Sequence, residues 1–193
     1  ISDEAVRRRR EEQMIFVPEM KRSSSGERSL VEIVGEAVER ILAGLEDGWD
    51  VTKLKVEIIN EQVSAALPIE ARLDIVIEVV LGMCKSAPDF LNAVKSRSGL
   101  IKSVTAQVKN GTTALIDSSL KFFAKPERAA LASALCIVLQ GYYDEDIIDE
   151  DIALAWWAAS ADSEHAMIAL KAKPFIDWLE EEDEEDEEDE EDE

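Results

Sequence analysis

The sequence predicts an all-α fold of about eight helices, paired as antiparallel hairpins and stacked as an α-solenoid. Three observations carry this. Apolar residues recur at three- and four-residue spacing from Ser29 onward, proline or an Asn-Gly pair interrupts the pattern at intervals, and no stretch sustains the alternation of a strand. Helices of roughly 12 to 20 residues joined by tight turns suit hairpin units of about 40 residues, although no clean sequence repeat accompanies them.

Residues 1–28 join the basic block Arg7, Arg8, Arg9 and Arg10 to Ser23, Ser24, Ser25 and Gly26, the composition of a solvated leader. Within it, Met14, Ile15, Phe16 and Val17 form a short apolar stretch able to dock onto the domain, and Pro18 would stop any helix there. The first helix carries Leu30, Val31, Val34, Val38, Ile41, Leu42 and Leu45 and ends near Gly48. A second runs over 51–67 with Leu54, Ile58, Ile59 and Val63 on one side, and Pro68 marks its boundary. A third covers 69–86 and a fourth 88–108, each starting with or just after proline, which is tolerated in the first helical turn. Asn110-Gly111 breaks the chain, and further helices are expected over 113–124, 126–142, 145–160 and 163–182. The domain boundaries expected are a leader at 1–28, one helical domain at 29–182 and a disordered acidic tail at 183–193.

A chain of 193 residues fits one core better than two, and 46% hydrophobic residues exclude a wholly disordered chain. The net charge of −22 is uneven: residues 180–193 are 14 consecutive acids, and the remainder carries 21 basic against 29 acidic residues, a net of −8. Such a surface repels phosphate backbones and anionic lipid, so direct nucleic-acid and membrane partners are not expected and basic proteins are. Cys84 and Cys136 lie in apolar helical stretches and read as reduced core residues. No apolar run approaches the roughly 18 to 20 residues of a membrane span, and no signal-peptide pattern opens the chain, so a cytoplasmic location is expected. The first residue is Ile1 rather than Met, which suggests a piece of something longer.

Residues for bond-making chemistry are few. His165 is the only histidine and reads as surface, the two cysteines lack zinc-site spacing, and the eight glycines form no phosphate-cradling loop. Carboxylates abound, but nothing in the sequence singles out a pair with divergent acidities. The informative region is the C-terminal quarter. Tyr142, Tyr143, Asp144, Glu145, Asp146, Ile147, Ile148, Asp149, Glu150 and Asp151 lead into Trp156 and Trp157, and Phe175, Asp177 and Trp178 run into Glu180, Glu181 and Glu182. Two readings stand: a terminal helix pair whose aromatics close the stack, or aromatic anchors rimmed by carboxylates that dock a lysine-rich segment.

The stretch YDEDIIDEDIALAWW at 143–157, followed by KPFIDWLEEEDEED at 173–186, resembles the two aromatic and acidic boxes of the two-tryptophan, HEAT-type domain. That domain closes the epsilon subunit of the exchange factor for eukaryotic translation initiation factor 2, and also eukaryotic initiation factor 5. LAGLEDGWDV at 42–51 and LKVEIINEQVSAAL at 54–67 look like the opening helices of the epsilon subunit, with a departure where Ile59, Asn60, Glu61 and Gln62 replace the run Asn-Ser-Leu-Arg. The resemblance covers about residues 30–193 and implies a HEAT-like α-solenoid without a cofactor.

Carried over residue by residue, it puts the exchange-critical glutamate on Glu57, the essential box-two tryptophan on Trp178 and the box-one tryptophan on Trp156 or Trp157. Both key positions also admit a plain structural role, Glu57 as a polar residue on a buried helix and Trp178 as core. The partner-binding set implied is Tyr143, Asp144, Glu145, Asp146, Asp149, Glu150, Asp151, Trp156, Trp157, Phe175, Asp177, Glu180, Glu181 and Glu182. The partners implied are lysine clusters on the beta subunit of initiation factor 2, its nucleotide-carrying gamma G domain, and other exchange-factor subunits reached through a preceding part of the chain. The activity implied is guanine-nucleotide exchange without covalent chemistry: the nucleotide-free state is held more tightly than the GDP state, so GDP leaves faster. The alternatives are a non-catalytic adaptor of the initiation factor 5 type, or an acidic solenoid that binds basic proteins through its tail.

Overall fold

The computed structural model describes residues 29–190. The expected leader at 1–28 and the last three residues of the expected tail lie outside them. The described chain is helical throughout its ordered elements: α1 (Leu30–Glu46), α2 (Val51–Ser64), α3 (Ala71–Leu81), α4 (Ala87–Thr105), α5 (Gly111–Ala124), a 3-10 segment (Pro126–Ala134), α6 (Leu135–Asp144), α7 (Glu150–Ser160), a short α8 (Ala166–Ala169), a 3-10 turn (Leu170–Ala172) and α9 (Lys173–Glu190). No strand occurs among the described residues.

Local chemistry sets most of the boundaries. Ser29 opens α1 with a capping box: its Oγ accepts from the Glu32 N–H at 3.2 Å while the Glu32 carboxylate accepts from the Ser29 N–H at 2.8 Å. Gly48 closes it with φ of 75°, a left-handed position that glycine adopts without strain. Trp49 then folds back on α1, so close that a Cβ at Gly44 would sit 2.3 Å from the indole. Asp50 caps α2 by accepting from the Lys53 N–H at 2.7 Å, and the Lys53 ammonium rests 3.9 Å above the Trp49 ring. A second capping box, Ser86 with Asp89, starts α4, where Pro88 occupies the first turn.

The helices stack in two rows. α1, α3, α5 and α7 pack in sequence along one, and α2, α4, α6 and α9 along the other, with α3 also touching α2 and α4. This is the HEAT-like solenoid that the hairpin spacing predicts. The core runs between the rows, and α3 is its hub, with Leu73, Ile75, Val76, Ile77 and Leu81 buried. Phe90, Phe122 and Phe123 join α4 to α5, the Phe122 and Phe123 rings edge to face at 5.1 Å. Arg40 of α1 reaches the buried Glu61 of α2 at 2.7 Å, and Arg72 donates twice to Gln62 Oε1, at 3.0 and 2.8 Å.

Two expected helices are broken by tertiary contacts and by proline. The helix expected over 126–142 begins as 3-10, with Arg128 donating to the Gly82 carbonyl at 2.6 Å and lying over the Phe122 ring. The helix expected over 163–182 is split at Leu170–Ala172, because Pro174 lacks the N–H needed to continue a preceding helix and its ring crowds the carbonyl four residues back. α9 then runs on to Glu190, past the tail boundary expected at 183.

Two stability predictions follow from this packing. Tyr142 is fully buried, burial pushes its phenol well above the usual range, and its hydroxyl lies 3.0 Å from Ser119 Oγ, which itself donates to the Leu115 carbonyl. Ser119→Ala strands that hydroxyl and is expected to cost about 1–3 kcal/mol, whereas Tyr142→Phe leaves Ser119 bonded and costs about 1 kcal/mol or less; urea midpoints of the two variants check the order. At Gly35, inside α1, an added Cβ meets no atom within 4 Å. Gly35→Ala is therefore expected to stabilise by about 0.5–1 kcal/mol through helix propensity, read as a rise in the same midpoint.

Candidate functional site: an aromatic patch rimmed by carboxylates

The last turn of α6 places Tyr142 inward and Tyr143 on the border of core and solvent. The chain then reverses through Asp146, whose φ is 50°, with the Ile147 N–H donating to the Tyr142 carbonyl at 2.8 Å. Asp tolerates this left-handed position better than most side chains. Ile147 and Ile148 are buried and pin the turn, so that Asp144, Asp146 and Asp149 project into solvent and Glu145 lies half-buried between them. Asp149 holds the N-cap position of α7 without a side-chain capping hydrogen bond, and Glu150 and Asp151 occupy its first turn, where carboxylates favour the positive end of the helix dipole.

Helix α9 brings the second half of the site against this turn. Phe175 and Trp178 lie three residues apart and so share a face. Their rings are stacked at 6.1 Å, and both meet Tyr143, at 6.2 Å from Phe175 and edge to face at 5.5 Å from Trp178. Phe175 is buried beneath the cluster while Trp178 and Tyr143 remain half-buried. Beside these ring residues in the chain, Asp144, Glu180 and Glu181 are exposed and Asp177 half-buried; Asp177 pairs with Lys173 one turn back, and Asp144 lies 3.8 Å from Lys95 of α4. Burial pushes the Cys136 thiol up, the backbone of Phe175 partly offsetting this.

The remaining expected residues fall elsewhere. Trp156 is 5% exposed, and its indole N–H donates to Asp117 of α5 at 3.0 Å. It is a core residue joining α7 to α5, so any part it has in binding is support from beneath. Trp157, half-buried, packs on the same core. Glu57 is half-buried on α2, where Asn60 Nδ2 donates to its Oε2 at 3.4 Å. Since α2 packs on α1, α3 and α4 while the patch lies on α6 and α9, Glu57 and Trp178 stand at opposite ends of one row of helices. Glu182 lies on α9. His165, half-buried, has Glu164 at 3.3 Å, and the described residues hold no His, Cys, Asp or Glu group suited to a metal ion. Lys95 and Asp117, which tie the patch and its supporting tryptophan to the stack, escape a reading of the sequence because no local pattern links them to partners 49 and 39 residues away.

Fold and site together define an all-α, HEAT-like helical stack that ends in an aromatic and acidic patch. Residues 111–189 match the family described as W2: eIF4-gamma/eIF5/eIF2-epsilon. Among curated proteins, the chain is similar to "Probable eukaryotic translation initiation factor 5-1" of Arabidopsis thaliana, 32% identical over 63 residues, 33% of this chain and 14% of that protein. It is similar also to "Eukaryotic translation initiation factor 5" of Phaseolus vulgaris, 22% identical over 148 residues, 76% of this chain and 32% of the relative. The chain thus spans about a third or less of these relatives. These matches make the second half of the chain similar to a W2 domain. No described helix is long and apolar enough to cross a membrane.

Proposed function

We propose that this chain docks a lysine-rich segment of the beta subunit of initiation factor 2 and accelerates GDP release from the gamma subunit. The observation that carries the reading is the convergence of the Tyr143, Phe175 and Trp178 rings, with Asp144, Asp177, Glu180 and Glu181 beside them in the chain. An ammonium group above a half-buried indole gains from the ring face, and nearby carboxylates add attraction that neither part gives alone. Encounter is accelerated by opposite charge and slows with salt, as the Debye length falls from about 10 Å at 0.1 M to about 3 Å at 1 M.

Exchange itself needs no covalent step. The Glu57 surface, at the other end of the row, meets the nucleotide-bearing subunit and binds its open state more tightly than its GDP state, which shifts the population toward release. A two-ended arrangement suits this division, with the patch anchoring the partner and α2 acting on the G domain. The test is a GDP-release assay with this chain and intact initiation factor 2. The expected result is accelerated release, lost in Glu57→Ala with binding retained.

A second reading, a non-catalytic adaptor, is favoured by the names of the curated relatives, which are all initiation factor 5 proteins. On that reading the chain binds the same segment with the same salt dependence and leaves the GDP release rate unchanged.

A further inference from the structure

Helix α1 carries more apolar surface than its neighbours cover. Val31, Val34, Gly35 and Val38, spaced i, i+3, i+4 and i+7, form one stripe along a groove of about 290 Å³ that Ile77 of α3 and Phe122 of α5 also line. Val31 is 78% exposed, and the space above Gly35 is open for 4 Å. Among the described residues of α1 only Ala37, Ile41 and Gly44 are buried, and the apolar channel beside them offers a docking surface for a short apolar segment.

We propose that Met14, Ile15, Phe16 and Val17 of this same chain fill the groove and strap the leader to the first helices of the stack. They form the one run of three or more consecutive apolar side chains among the 28 residues ahead of Ser29. Twelve residues separate Val17 from Leu30, a tether that extends to about 40 Å, while the groove begins at the second residue of α1. A tether of that length holds the segment near its site at an effective concentration of about millimolar, so four side chains of modest affinity suffice. This inference is independent of the docking patch at the opposite end.

The test uses the full 193-residue chain and two substitutions outside the core. Phe16→Asp removes the anchor, and Gly35→Trp fills the groove from α1, where the open space admits a side chain. In Phe16→Asp, methyl resonances of Val31, Val34, Val38 and Ile77 are expected to shift at every protein concentration, with Ile147 and Ile176 unmoved. Amides of residues 15–17 are expected to exchange about 10-fold or more slowly than an unprotected chain, and Gly35→Trp abolishes that protection. Unmoved groove methyls in a Phe16→Asp protein of normal melting temperature would overturn the proposal. So would methyl shifts that appear only as concentration rises, because they assign the groove to a second copy.

Discussion

Trp178→Ala is expected to leave the helical stack folded while weakening its hold on a lysine-rich segment by at least about 30-fold. The indole is half-buried and sits on α9, at the end of the row that begins with α2, with Phe175 and Tyr143 as its ring neighbours. Truncating a partly covered side chain there costs about 1–2 kcal/mol of stability, roughly half the loss of a fully buried aromatic. Binding suffers more, because a central aromatic anchor framed by charge is the kind of residue whose truncation removes about 2 kcal/mol or more of affinity. The rim carboxylates contribute less individually, since each stays hydrated and screened. Calorimetric titration with a lysine-rich peptide, alongside a thermal melt, reads both quantities on the same protein.

Trp156→Ala is expected to behave in the opposite way, with a stability loss of about 3–5 kcal/mol and no specific loss of affinity in the fraction that stays folded. Its indole is 5% exposed and its N–H is satisfied by Asp117 across the α5 to α7 contact. Removal leaves a cavity between α5 and α7 and frees a carboxylate from its donor. For a domain of this size, such a loss lowers the melting temperature by roughly 10 °C. Trp156→Phe retains much of the volume, loses the hydrogen bond, and should recover more than half of that decrease. Two tryptophans that look alike in the sequence are thus separated by one pair of melts and titrations.

The all-α stack was legible because its signals are local. Heptad-like spacing of Val31, Val34, Val38, Ile41 and Leu45, a serine three residues ahead of a carboxylate, and glycine or proline at the turns each act within one helix. The 3-10 run at Pro126–Ala134 was not, since its alanine-rich pattern suits an α-helix and its anchor, Arg128 on the Gly82 carbonyl, is 46 residues away. The same division holds at the patch. Acids and aromatics announce themselves at 143–157 and 173–186, yet nothing in the sequence says that Phe175 lies beneath while Trp178 reaches the border. Trp156 and Trp157, adjacent on one helix, point about 100° apart in any case, and which of them enters the core is set by the packing of α7 on α5 and α9. Glu57 is similar: its helix could be read, its separation from the patch could not.

The central claim is that the rings of Tyr143 and Trp178, and not the long acidic run, hold the basic partner. Affinity for the lysine-rich beta segment of initiation factor 2, measured at about 0.1 M salt for the whole chain, for a chain lacking residues 183–193 and for Trp178→Ala, tests it directly. Docking through the patch predicts that the shortened chain keeps most of the binding while Trp178→Ala loses it. Full binding by Trp178→Ala together with none by the shortened chain would contradict it and leave the acidic run as the whole of the attraction.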